Sequence, residues 1–217
     1  MRQTLTSVLA VTTVLLTVAC QGSPQASDDA PVEMGEASLL PMPADAILAA
    51  DFTLTDTAGE EHQLFEYLDA NKTVVLEWFN PQCPVSRRYH TPERVMAAAY
   101  GELQGDDLVW LAINSGAPGK QGHGLDLNSQ AITDWEIPYP VLIDESGDVG
   151  RAFGAKTTPH MYVIRPDRLI AYDGAIDDSG GRGEAAENLV VSAVTACRKG
   201  ELPETGRSRA FGCSVKY

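Results

Sequence analysis

The stretch Val74-Val75-Leu76-Glu77-Trp78-Phe79-Asn80-Pro81-Gln82-Cys83-Pro84-Val85-Ser86 constrains this chain more than any other. Its first half is almost continuously apolar, as expected of a strand buried on both faces of a parallel sheet. Pro81 stops that strand, and Pro84 suits the first turn of a helix. Cys83 therefore stands where a strand gives way to a helix. The backbone N–H groups and dipole of a helix start favour the thiolate, which is the reactive form of a cysteine. A buried structural cysteine is the bland alternative, and the strand-Pro-x-Cys-Pro-helix context favours the reactive thiol over it. Ser86 stands where a Cys-x-x-Cys motif would have its second sulfur, so Cys83 has no disulfide partner in its own motif.

The rest of the chain reads as alternating strands and helices. Residues 51–56 alternate like a strand and are followed by a turn at 57–60. A helix is expected over 85–101, with Thr91-Pro92 marking a restart or kink inside it. Leu108-Val109-Trp110-Leu111-Ala112-Ile113-Asn114 is a second buried strand. Further elements are a helix over 128–136, a strand at 141–144, a short helix at 149–153 and a hairpin of 161–165 with 169–173 around Pro166-Asp167. A last helix is expected over 184–199, followed by an irregular tail. The pattern predicts an α/β domain over 46–200, with a central mixed sheet and helices on both faces, and a tail over 201–217 that carries Cys213.

The chain has 217 residues and a net charge of −14. That charge argues against nucleic acid or an anionic membrane surface as a partner. Residues 1–19 pair Arg2 with an apolar core that ends in Leu16-Thr17-Val18-Ala19-Cys20, which resembles a bacterial lipoprotein signal. The apolar core is shorter than the roughly 20 residues that span a bilayer, so a cleaved signal fits better than a retained helix. Cys20 is then the expected lipid site, and ordinary secretion with cleavage nearby is the alternative. Residues 20–45 are acidic and rich in Ser, Ala, Gly and Pro, a flexible tether with a reach of roughly 25–30 Å. The expected location is the periplasm or cell envelope, with membrane contact through a lipid anchor alone. Disulfides persist in such a compartment. Removing Cys20 from the four cysteines leaves Cys83, Cys197 and Cys213, an odd set with at least one thiol unpaired within the chain.

Five stretches carry a family resemblance. They are Asp51-Phe52-Thr53-Leu54, Asn80-Pro81-Gln82-Cys83-Pro84, Thr157-Thr158-Pro159-His160-Met161, Gly174-Ala175-Ile176-Asp177-Asp178 and Gly212-Cys213-Ser214-Val215-Lys216-Tyr217. From 51 to 217 the chain resembles the thioredoxin-like redoxins of the alkyl hydroperoxide reductase and thiol-specific antioxidant superfamily. More narrowly, it is similar to the peroxiredoxin-like branch with a single active-site cysteine. The resemblance implies a thioredoxin-like fold, with Cys83 as nucleophile and Glu77 as the buried proton acceptor for the thiol. Glu77 lies in the middle of an apolar strand, where a carboxylate needs a partner or a proton; the alternative is a side chain reaching solvent at the sheet end. The resemblance also implies that Pro159 is cis and packs beside Cys83, with Thr158 presenting backbone to substrate. The expected substrate groove comprises Asn80, Pro84, Thr158, Pro159 and His160. His160 either tunes the thiolate or is a surface histidine at a strand start.

Helical spacing puts Cys197 on one face with Ala186, Leu189, Val190 and Ala193, where packing or a structural bridge to Cys213 are the open roles. Cys213 lies in a Gly/Ser-rich segment that can bend toward another thiol, so it is a possible resolving cysteine for Cys83 or the partner of Cys197. Gly119-Lys120 lacks phosphate-loop spacing. His62, His90, His123 and His160 lack metal-ligand spacing, so no metal and no cofactor are expected. Copper chaperones of this fold use Cys-x-x-x-Cys, and Arg87 occupies the second position. Peroxidases of the wider family place a threonine where Asn80 stands, a departure that weakens the peroxide step although an asparagine can still hydrogen-bond an oxygen. The expected function is a thiol-dependent oxidoreductase, acting on a peroxide or on a protein disulfide or thiol, with an external thiol as reductant. The alternative is a non-catalytic binding module on the cell envelope.

Overall fold

The computed structural model describes residues 46–180 and 187–217. The expected signal 1–19, the tether with Cys20 and the first residues of the helix expected from 184 lie outside them. The elements are β1 (Thr53–Asp56), β2 (Glu61–Gln63), α1 (Leu64–Asp69), β3 (Thr73–Trp78), α2 (Pro84–His90), α3 (Val95–Leu103), β4 (Leu108–Asn114) and α4 (Leu125–Trp135). They continue with β5 (Val141–Ile143), α5 (Asp148–Phe153), β6 (Thr157–Thr158), β7 (His160–Ile164), β8 (Ile170–Gly174), α6 (Leu189–Arg198) and β9 (Cys213–Ser214).

Seven strands form one sheet in the order β2-β1-β5-β4-β3-β7-β8. β3, β4 and β5 run parallel, while β1, β7 and β8 pair antiparallel with their neighbours. β3 is central and every residue in it is buried, which is why it reads as a continuous apolar run rather than an alternating one. Its alternate side chains still go to opposite faces. Val75 and Phe79 join a core cluster with Met96, Ala99 and Leu103 of α3, Trp135 of α4, and Val190 and Val194 of α6. Val74, Leu76 and Trp78 join a second cluster with Leu64 and Leu68 of α1. The expected mixed sheet with helices on both faces is thus the observed architecture.

Two local expectations are corrected and one is met. The restart expected at Thr91-Pro92 within 85–101 is observed: α2 ends at His90 and α3 begins at Val95, with Thr91 extended (φ −154, ψ 128) and Arg94 left-handed at φ 53. Proline cannot donate to a helical ladder and disfavours helical geometry in the residue before it. The last helix starts at Leu189 instead of 184: Asn188 is its extended N-cap, and its side chain accepts the N–H of Val191. The tail is not wholly irregular, since Cys213–Ser214 forms β9 and pairs with β6.

Candidate active site

The chain leaves β3 with the Phe79 N–H bonded to Ile113 O at 2.8 Å, and a tight loop then delivers Cys83. In that loop the Cys83 N–H donates to Asn80 O at 3.0 Å, and the Gln82 N–H donates to Asn80 Oδ1 at 2.8 Å. Cys83 is the N-cap of α2 with Pro84 in the first turn, the placement expected from sequence. Cys83 is 0% exposed.

The wall opposite is β6. The Thr158–Pro159 peptide is cis, and the Cys83 thiol donates to Thr158 O at 3.0 Å. The tail lies along β6 in antiparallel register, with Thr158 opposite Cys213 and Thr157 opposite Ser214. Gly212 makes this approach possible, because a Cβ there would collide with the carbonyl oxygen of Thr158. The backbone that Thr158 was expected to offer a substrate is therefore occupied by the protein's own tail.

This register sets Cys213 beside Cys83, whose thiol donates to the carbonyl of Thr158, the residue paired with Cys213. Burial alone would raise the Cys83 pKa. Contacts with the Cys213 thiol and with the backbone N–H groups of Ser86 and Cys213 outweigh it, and the net shift is downward. Cys213 moves the other way, because burial, its hydrogen bond to Cys83 and the charge on that sulfur all keep its proton on. The two sulfurs are thus differentiated, with thiolate character on Cys83 and the proton on Cys213. Arg87 is exposed and Arg88 pairs with Glu93 at 3.2 Å, so hydrogen bonds rather than these arginines account for the shift.

The tail is fastened on both sides of Cys213. Upstream, Ser208 Oγ lies 2.7 Å from the Tyr172 hydroxyl and accepts the Ala175 N–H at 2.9 Å. Downstream, the Val215 N–H donates to Lys156 O at 3.1 Å and the Ala117 N–H donates to Lys216 O at 2.9 Å. The Tyr217 hydroxyl donates to Ala155 O at 2.8 Å, and its ring lies under Arg151. Gly147 and Gly150 leave room for that ring, since a Cβ at either would meet it at 2.6 Å. Cys197 stands apart: it packs against the core cluster from α6, with Arg165 and Asp167 as its charged neighbours, and burial pushes its pKa up to about 11. Cys213 thus neighbours Cys83 at the β6–β9 pair, while Cys197 lies on α6 against the core.

Glu77 does not reach solvent. Its carboxylate lies 2.8 Å from His90 Nε2 and accepts the Tyr139 hydroxyl at 2.8 Å. Burial, with the Glu77 carboxylate second, holds the Tyr139 hydroxyl protonated well above its usual range. His90 and Tyr139 did not emerge from the sequence; the one available signal was that a mid-strand glutamate requires a buried partner.

Asn80 has a structural role that the sequence did not suggest. Its Nδ2 donates to Gln121 O at 3.2 Å while its Oδ1 accepts from Gln82. Gln82 Oε1 accepts the Gly122 N–H at 2.9 Å, and Gly122 O accepts from Asn114 and Asn128. These amides tie the cysteine loop to the 116–124 loop. His160, expected in the groove, is turned away from Cys83. Its Nδ1 accepts the Lys156 N–H at 3.3 Å, which leaves the hydrogen on Nε2 to donate to Asp173 at 2.7 Å. It is buried rather than a surface histidine, and it lines a cleft of about 600 Å³ with Asp173, Arg207 and Ser208. Pro84 is exposed at the helix start beside Cys83.

Comparison with known proteins bears on the family and the fold. The AhpC/TSA family model matches residues 47–176. A thiol-disulfide oxidoreductase ResA from Geobacillus thermodenitrificans (strain NG80-2) is 29% identical over 117 residues, covering 54% of this chain. The match spans 60% of that relative's length. Two solved structures superpose with a TM-score of 0.67. One is a hypothetical protein from Sinorhizobium meliloti 1021, 26% identical, covering 79% of this chain and 93% of that one. The other is an uncharacterized conserved protein from Geobacillus kaustophilus, 23% identical, covering 83% and 94% respectively. The fold is thioredoxin-like.

Proposed function

The chain belongs to the AhpC/TSA family, and from that premise we propose a thiol-dependent oxidoreductase in which Cys83 and Cys213 cycle between dithiol and disulfide. One observation carries the reading: the β6–β9 pairing sets Cys213 opposite Thr158, whose carbonyl oxygen lies 3.0 Å from the Cys83 sulfur, so two cysteines far apart in sequence are neighbours at one site. The Cys83 thiolate attacks one sulfur of a substrate disulfide, whose S–S bond breaks. One substrate half leaves as a thiolate and takes up a proton; the other stays bonded to Cys83. Cys213 then loses its proton and attacks the Cys83 sulfur, displacing the second half. The substrate gains two electrons and the protein becomes the Cys83–Cys213 disulfide. An external thiol returns it to the dithiol.

Exchange with a disulfide is favoured over peroxide reduction, because both ends of the Asn80 amide are engaged within the loop. Glu77 serves in this reading as proton acceptor, with His90 and the donating Tyr139 hydroxyl holding its carboxylate in place. The signal-like sequence ending at Cys20 supports a reaction at the cell envelope with Cys20 lipidated, and loss of palmitate labelling in Cys20→Ala is the test of that part.

The test is to treat the reduced protein with a stoichiometric small disulfide, and separately with hydrogen peroxide, and to map the products. A Cys83–Cys213 disulfide forming faster with the disulfide reagent is expected. Absence of that bond with both reagents rejects the proposal.

A further inference from the structure

Between the tail and the chain that enters β6 lies a cleft of about 600 Å³, whose lining includes Lys156, Thr157, His160, Asp173, Arg207 and Arg209. We propose that this cleft binds a small polyanion, a phosphate or a polycarboxylate, and that the bound anion clamps the tail that carries Cys213. Only the consequence for Cys83 rests on the function proposed above.

The lining is rich in donors and short of acceptors. Its one carboxylate, Asp173, is engaged twice, by His160 Nε2 at 2.7 Å and by Arg207 Nε at 3.2 Å. The hydroxyls are occupied too. Thr157 donates to Pro159 O at 3.0 Å, and Ser208 accepts the Ala175 N–H while it bonds to the Tyr172 hydroxyl. The groups left over are the ammonium of Lys156, the guanidinium of Arg209 and the terminal N–H groups of Arg207. Neither Lys156 nor Arg209 has a carboxylate partner among the described residues. Three cations thus face one carboxylate, in a chain whose net charge is −14. Cations gathered on a concave, low-dielectric wall focus a positive field, and a guanidinium fork matches two oxygens of a phosphate or carboxylate. The volume lies within the range of small-molecule sites.

The two walls belong to the two segments whose pairing covers Cys83. Lys156 and Thr157 lead into Thr158, which lies opposite Cys213 and whose carbonyl accepts the Cys83 thiol. Arg207 and Arg209 precede Cys213 in the tail. The Ser208 N–H donates to Asp173 O at 3.0 Å, and the Val215 N–H donates to Lys156 O at 3.1 Å. Between those two fastenings, residues 209–211 make no hydrogen bond among the described residues. An anion that bridges Arg209 to Lys156 fastens this stretch to the chain entering β6. A ligand that binds only the closed tail stabilises it by RT ln(1 + [L]/Kd), so at ten times its Kd the opened population falls about tenfold. Cys83 is 0% exposed, so reagents reach it through that opening.

The experiment titrates reduced full-length protein with inorganic phosphate and, separately, with citrate, at constant ionic strength set by chloride. Calorimetry reads binding, and hydrogen exchange reads the amides of 212–215. Binding of at least one anion at a single site is expected, with exchange slowed about tenfold at ten times the measured Kd. Binding of citrate alone identifies a carboxylate ligand, and binding of phosphate alone a phosphate. Lys156→Gln and Arg209→Gln remove exposed cations. Each should weaken binding by about tenfold or more, the scale of one hydrogen bond to a charged group, and leave exchange without anion unchanged. No binding of either anion, or binding that both variants retain, overturns the site. Binding lost in the variants, with wild-type exchange unaltered by the anion, overturns the clamp. Alkylation of Cys83 by neutral iodoacetamide should slow in parallel with exchange. If exchange slows while Cys83 is unreactive with and without anion, the nucleophile of the proposed function fails and the clamp stands.

Discussion

The carboxylate of Glu77 and the imidazole of His90 meet at 2.8 Å with side-chain exposures of 0% and 2%. One comes from the middle of the central strand and the other from the last turn of α2. The contact therefore joins the strand that leads to Cys83 to the helix that starts there, and the Tyr139 hydroxyl takes the second carboxylate oxygen. His90 also packs edge-on against Phe79 and lies over Trp135.

Removing one member of such a pair leaves the other buried without its partner, which typically costs about 3–5 kcal/mol. His90→Ala is predicted to lose stability on that scale in chemical denaturation, compounded by lost packing against Phe79 and Trp135. A loss below about 1 kcal/mol, the level of an exposed pair, would contradict the contact.

The pH dependence of Cys83 follows from its lowered pKa. Alkylation of reduced protein at Cys83 should reach its plateau at lower pH than a free cysteine, whose pKa is about 8.5, with access through the tail the same at each pH. Cys213→Ala removes a donor to the thiolate and is predicted to move the midpoint upward. The stability counterpart has the same sign: the contribution from Cys83 is fully present above the unfolded-state value and disappears as pH falls through the lower folded-state value. Titrations of wild-type and Cys213→Ala protein with identical midpoints would contradict the contact.

Gly212→Ala is predicted to separate the two sulfurs without touching either. The added Cβ collides with Thr158 O, and the neighbour is backbone, which has little room to give. The β6–β9 pair should open, and oxidation should then leave Cys83 as a mixed disulfide rather than bonded to Cys213. Intact-mass measurement after treatment with a small disulfide distinguishes the two products, and an unchanged yield of internal disulfide would count against the role given to the register.

Cys197 should behave as a packing residue. Its thiol is held protonated to about pH 11 by burial, so native-state alkylation at neutral pH is expected to be slow there. Cys197→Ala should leave the Cys83–Cys213 disulfide yield unchanged while lowering stability by about 1 kcal/mol, the middle of the range for a single substitution. A lost or rerouted disulfide in this variant would contradict that assignment.

Much of the fold was legible because its signals are local. The apolar run of β3, the halt at Pro81 and the helix start at Pro84 each depend on residues close in sequence, and they put Cys83 where the structure has it. The family stretches likewise pointed to a cis Pro159. Boundaries failed where one polar residue competes with a pattern. Asn188 caps α6 in the midst of what reads as continuing helix.

The sequence by itself determined the class of chemistry: an α/β sheet that ends its central strand in a cysteine, a missing second sulfur at Ser86 and two further cysteines beyond the hairpin. It favoured Cys83 over Cys197 as the partner of Cys213 only narrowly, because a glycine-containing tail can bend toward either. Tertiary structure set Cys213 beside Cys83 through the pairing of Thr158 with Cys213, a backbone register set by the fit of Gly212 against Thr158 O and by the seats of Ser208 and Tyr217. It also committed the Asn80 amide to the loop, turned His160 toward Asp173, and gave Glu77 its partners. Those outcomes depend on which side chains share a face and a depth, and hydrogen bonds across such distances in sequence exist only once the sheet and its helices have closed around them.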